Sequence, residues 1–143
     1  MHPYSFIVSL RANHPKQDLA FLAELLQMNR RHGWTAGDER VTPKGTSLGG
    51  ARSQSYWSAR VTAEETSSEE WQLEDVLNKS VEELEKHKDE LLEFFATGGT
   101  MNYFIGLYGL RNYGLVFAPH LMSRLARAGV ELQLDVYPSQ SAA

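Results

Sequence analysis

Between Ser67 and Phe95, apolar side chains recur at helical spacing and carboxylates crowd the positions between them. Trp71, Leu73, Val76, Leu77, Leu84, Leu91, Leu92 and Phe95 form the apolar stripe. Residues 64 to 95 hold twelve acidic side chains against three basic ones, a net −9, and the rest of the chain sums to +5. A segment this charged folds as amphipathic helix, one stripe buried and the remainder in water. It therefore needs another layer to lie on. Ser67-Ser-Glu-Glu70 is a capping box that opens the helix, and Ser80-Val-Glu-Glu83 is a second one inside the same stretch. The pair predicts two helices, or one kinked near Asn78 to Ser80, ended by Gly98-Gly99.

The layer comes from segments with the other period. Tyr4 to Leu10 reads as a buried first strand, Gln54 to Val61 and Asn102 to Tyr108 as further strands, and Val130 to Tyr137 as an alternating last one. A short strand is expected around 40–42, with turns at Pro43 to Gly45 and Leu48 to Gly50. Gly114 to Phe117 would continue the strand before it. Pro15 starts a helix over 15–29 through Leu19, Leu22, Leu25, Leu26 and Met28. Arg30, Arg31 and His32 complement its dipole, and Gly33 ends it. Pro119 starts another helix, which Gly129 stops. The expected fold is α+β: one domain over 1–137, with a mixed, mainly antiparallel sheet of four to six strands. About three helices pack on it, the acidic one outermost, and 138–143 forms a flexible tail.

Several motifs coincide with a known pattern. Ser9-Leu-Arg11 is followed by the proline-started helix, then by Trp34-x-x-Gly37-Asp38, Arg40, Gly45 and Tyr56-Trp57-Ser58. The acidic helix and Asp135-Val-Tyr137 complete the order. Over residues 5 to 137 the chain resembles the bacterial domain-of-unknown-function family numbered 4279. The resemblance implies a small, intracellular bacterial domain that stands alone or nearly so. It brings no catalytic residue with it.

Most catalytic classes find no support. The chain has no cysteine, so thiolate chemistry, cysteine metal sites and disulfides are excluded, in keeping with a reducing cytoplasm. No apolar run is long enough for a transmembrane helix, and Met1-His-Pro-Tyr4 does not open a secretory signal. Gly45-Thr-Ser-Leu-Gly-Gly50 lacks the Lys-Ser/Thr ending of a phosphate-binding loop and reads as a hairpin loop. The five histidines have no ligand spacing, although His14 and His120 both flank helix-starting prolines. Ser53, Ser55 and Ser58 lie in no nucleophile elbow. Arg30, Arg31, Arg60 and Arg111 could form a basic stripe, but interleaved acids and the −9 segment oppose one. No cofactor, metal, nucleic acid or membrane partner is expected.

One constellation is worth following: Trp34, Asp38, Arg40, Arg52, Tyr56 and Trp57, joined by Arg11 and Tyr108. An aromatic wall with guanidinium forks suits a planar or anionic ligand, or a partner's hot spot. The same residues also serve a purely structural role, with Asp38 tying down the loop and both tryptophans in the core. The expected function is a small non-catalytic binding or interaction protein of the cytoplasm. An immunity-type inhibitor presenting the acidic helix of residues 69–96 to a protein partner is one form of it. The alternative is a ligand-binding domain or enzyme with a pocket near Asp38, Arg52, Tyr56 and Trp57. The sequence leaves the oligomeric state open, and self-association through an exposed sheet edge is a third reading.

Overall fold

The N-terminal alternation becomes the centre of the sheet. Strand β1 (Ser5–His14) buries Phe6, Val8, Leu10, Ala12 and His14 and turns Ser5, Ile7, Ser9, Arg11 and Asn13 to the other side. The computed structural model describes residues 2–137, so the expected tail at 138–143 lies outside the described residues. Next come α1 (Phe21–Leu26), β2 (Arg30–Trp34), β3 (Glu39–Val41), β4 (Ser47–Ala51), β5 (Ser55–Arg60) and β6 (Thr66–Ser67). Helices α2 (Leu73–Glu85) and α3 (Lys88–Ala96), β7 (Thr100–Tyr108), α4 (Pro119–Ala128) and β8 (Val130–Tyr137) complete the chain. The main sheet runs β2-β5-β1-β7-β8, with β6 beside the start of β1. Its pairs are antiparallel except β7–β8, which the α4 crossover makes parallel. The α+β expectation, with a mixed and mostly antiparallel sheet, holds.

All four helices contribute to one core against one face of this sheet. Leu22 and Leu26 of α1, Leu73, Leu77, Val81 and Leu84 of α2, Leu91 and Phe94 of α3, and Leu121 and Leu125 of α4 are buried there. The acidic stretch thus lies in the helix layer itself and not outside it. Its apolar stripe meets the sheet directly, and the Ser80 hydroxyl lies 2.6 Å from the hydroxyl of buried Tyr103. Burial pushes the Tyr103 phenol far above its ordinary pKa.

Local chemistry corrects several expectations. The helix over 15–29 shrinks to α1 because side chains claim the backbone before it. His14 Nδ1 accepts the N–H groups of Lys16 and Gln17, and Asp18 accepts that of Ala20. Gln27 then takes a left-handed φ of 55° and closes the helix, leaving Arg30 to Trp34 free to form β2. Gly33 is a strand residue and no helix stop: a Cβ there would lie 2.9 Å from the Tyr56 carbonyl oxygen. The break in the acidic stretch falls at Lys86–His87, beyond Ser80, and the Ser67 box makes a turn ahead of a helix whose N-cap position is Gln72, without a side-chain cap. Leu48 to Gly50 lies in β4, and 114–117 forms no strand.

Helices α2 and α4 are joined by a charged fork. Arg124 donates to both carboxylate oxygens of Glu85, at 3.0 and 2.6 Å, and to Asn78 Oδ1 at 3.2 Å. These hydrogen bonds hold the Glu85 carboxyl below the usual carboxylate range. A depressed carboxyl pKa stabilises the fold above the unfolded-state value near 4.3, and the gain disappears as pH falls through the folded-state value. The Glu85 side chain is 40% exposed, so solvent screens the pair to about 1 kcal/mol or less. Glu85→Gln should therefore lower the melting temperature at pH 7, and the loss should shrink progressively as pH falls below the unfolded-state value. A loss that stays constant as the pH is lowered would show that the charge does not matter.

Candidate functional site: the helix-free face of the sheet

With the helices of the described residues on one side, the odd-numbered face of β1 and its neighbours has no helical cover among those residues. Strand pairing places its residues in rows. Trp34 stands opposite Tyr56, Arg11 opposite Ser58 and Asn102, Ser9 opposite Arg60 and Phe104, and Tyr108 opposite Tyr137. Three aromatic groupings result. The Arg52 guanidinium sits 3.7 Å above the Trp34 ring, and Trp34 leans on Tyr56 with centroids 4.9 Å apart. Arg11 covers Phe104 at 3.6 Å. Tyr108 and Tyr137 stack nearly parallel at 4.8 Å. Each contact pairs a π face with a cation or another ring, the arrangement that keeps such side chains ordered on an open surface.

Electrostatics divide this face. At the β5–β2 end, burial and then the nearby Arg31 lower the proton affinity of the Arg60 guanidinium, and both arginines also border the groove beside α2. On β8 the hydrogen bond that the Tyr137 hydroxyl donates to the Asp135 carboxylate raises the phenol above its usual pKa, in an acidic flank with Glu131.

Three of the six expected contact residues, Trp34, Arg52 and Tyr56, meet here, and the face also carries Arg11 and Tyr108. Asp38 lies just beside it in a supporting role. Its carboxylate accepts the Thr35 N–H at 2.9 Å, and its carbonyl accepts the Arg52 N–H at 2.7 Å, which pins the base of the β3–β4 ribbon. Arg40 is out on that exposed ribbon. Trp57 is 1% exposed and belongs to the core, on the side opposite Tyr56. The four residues Asp38, Arg52, Tyr56 and Trp57 therefore do not line a common wall. Phe104 and Tyr137 are face residues that the sequence did not mark as contacts, and Arg60 was weighed only for a basic stripe. Their membership follows from the β5–β1–β7–β8 register, which no local pattern encodes.

Other candidates have structural duties. His14 is buried with both nitrogens engaged, Nδ1 by two backbone N–H groups and Nε2 by the Thr97 hydroxyl at 2.9 Å, whereas His120 is exposed on α4. Among the described residues no helix is long and apolar enough to cross a membrane. A groove of about 920 Å³ lies between the end of α1, β2 and α2. Leu26, Met28, Trp71 and Val76 line it, and Arg30, Arg31, Lys79, Asp75 and Glu83 form its rim.

The fold and this surface define a class: an α+β domain whose helices all cover one side of a mixed sheet, with arginines and aromatics on the other. The chain belongs to the family described as Domain of unknown function (DUF4279), which it matches over residues 2–139. No curated protein and no solved structure matches it.

Proposed function

We propose that this chain is a non-catalytic interaction protein of the bacterial cytoplasm and that the helix-free sheet face receives a protein partner. The observation that carries the reading is the Arg52–Trp34–Tyr56 stack. Trp, Tyr and Arg are the side chains that dominate binding energy at protein interfaces, and a broad sheet face suits a macromolecule better than an enclosed metabolite. Holding these groups in place before binding lowers the ordering cost of association.

The acidic helices support an inhibitor-like reading less well, because part of their charge is spent inside the chain. Glu74 accepts from the N–H of Ala118 at the start of α4, Glu83 from Lys86 and Glu85 from Arg124. A small amphipathic anion in the groove beside Trp71 is the remaining reading, favoured by apolar walls next to Arg30, Arg31 and Lys79.

Affinity capture from the native host separates them. A partner held by wild type should be lost about 30-fold on Trp34→Ala with Arg52→Ala, the size of a hot-spot loss near 2 kcal/mol. It should survive Glu90→Lys with Glu93→Lys on α3. The reverse pattern would move the interface to the acidic helices. A ligand-induced thermal shift abolished by Trp71→Ala would move it to the groove.

A further inference from the structure

The two edges of the main sheet are defended very differently. On β2 the register slips at a bulge between Arg30 and His32, cations follow one another, and Gly33 interrupts the strand. Those are devices that stop a second chain from pairing. On β8, at the opposite edge, Val130-Glu-Leu-Gln-Leu-Asp-Val-Tyr137 is eight residues long, with no proline, glycine or lysine. Its register with β7 is unbroken. Leu134 is 43% exposed and Val136 57%, and both line a shallow cavity of about 490 Å³ with Leu110 and Leu115. A long edge of strand-forming residues beside exposed apolar side chains is a surface built to be paired.

We propose that β8 pairs with β8 of a second copy of this chain, antiparallel about a two-fold axis at Leu134, to give one continuous sheet. The occupant follows from the side chains, because only a few registers are available to a strand that meets itself. Centring on Leu134 sets Leu134 against its own copy, Val136 against Leu132, Asp135 against Gln133 and Tyr137 against Glu131. Apolar residues then meet apolar ones on the helix side, and carboxylates are no nearer than diagonal neighbours. Centring on Gln133 opposes Asp135 and Glu131. Centring on Asp135 opposes the carboxylate to itself. A register shifted by one residue sets leucine against polar side chains across the strands. Like charges directly opposite are destabilising, and centring on Leu132, which avoids them, pairs only Val130 to Leu134 and leaves Asp135 to Tyr137 over, so charge, pattern and paired length together select Leu134. The closed two-fold contact uses one patch on both copies and leaves no free β8 edge for further growth. The pairing does not depend on what binds the open face.

The absence of native cysteine allows a clean test. Leu134→Cys places two thiols across the axis, within the Cα range that a disulfide needs, and should form covalent dimer on mild oxidation. Val136→Cys alone should not, but mixed with Leu132→Cys it should form the heterodimer. Sedimentation velocity of the whole chain should show a reversible monomer–dimer equilibrium. Gln133→Lys, facing Asp135 twice per dimer, should tighten it about fivefold, and Gln133→Asp should loosen it about fivefold. Gln133 is exposed, with only the Asn102 amide donating to its Oε1 at 3.2 Å, so at concentrations low enough to keep the chain monomeric the melting temperatures of both variants should stay close to wild type. A monomer up to about 1 mM, where even weak interfaces associate, overturns the proposal. So does crosslinking of Val136→Cys alone as fast as Leu134→Cys.

Discussion

Truncating Trp57 to alanine is expected to cost about 3–5 kcal/mol, against about 1 kcal/mol for Tyr56→Ala one residue earlier. The two aromatics are neighbours in β5, and a strand sends consecutive side chains to opposite faces. Trp57 lies under the helices, 1% exposed, on the side that also carries Ala12 and Ala59. Its removal opens a cavity that the surrounding leucines fill only in part. Tyr56 faces outward against Trp34 and is half-buried, so its loss forfeits a stacking contact and little core. Trp57→Phe refines the comparison. The indole N–H is buried with no partner among the described residues, so phenylalanine loses ring volume but also removes an unpaired donor. It should cost less than half of what alanine does. Chemical denaturation of the three variants decides the matter, and a Tyr56→Ala loss equal to that of Trp57→Ala would refute the assignment of faces. For a domain with a stability of about 5–15 kcal/mol, Trp57→Ala alone brings the chain near its limit.

This contrast also marks how far the sequence could be read. A strand over 54–61 was already implied by its residues, and it forces Tyr56 and Trp57 apart. Which of them is inside depends on pairing with β1, where Ala12 stands opposite Trp57. The elements most legible were those whose ends and period agree. In α4, Pro119 opens the helix and Gly129 closes it at φ 74°, and β8 matches its expected bounds of Val130 to Tyr137. Around α1 they disagreed. Leu19, Leu22 and Leu26 have helical spacing and are buried, yet His14 and Asp18 divert the backbone N–H groups that a longer helix would need. Arg30 and Arg31 suit a helix end or an edge strand equally well by charge, and the pairing of β2 with β5 decides between them. The second capping box failed for a related reason. Ser80 has the residue types of a cap but spends its hydroxyl on Tyr103, a partner 23 residues away.

The glycine pair at 98–99 offers the other large effect, because its two members are needed for different reasons. Gly98 follows α3 with φ at 108°, a conformation that side chains resist. Gly99 has no such φ, but a Cβ there would come within 2.5 Å of the Phe94 ring. That ring cannot step aside. It is 3% exposed and packed against His14 at 5.6 Å and Phe21 at 6.0 Å. The Gly99 N–H is also bonded to the Phe94 carbonyl at 3.0 Å, which fixes the backbone beside the ring. Gly99→Ala should therefore destabilise by about 1–3 kcal/mol as an overpacked site, where a loop Gly→Ala exchange without strain would stabilise slightly. Phe94→Leu makes room for the methyl group, so the double variant should be more stable than the sum of the two single losses, by about 1 kcal/mol. The same Phe94→Leu background should give no relief to Gly98→Ala, whose cost lies in the dihedral angle and in a Cβ approach of 3.2 Å to Pro15, not in the Phe94 ring. Denaturant midpoints for the two double-mutant cycles test this, and rescue of both glycine variants, or of neither, would contradict the division of roles.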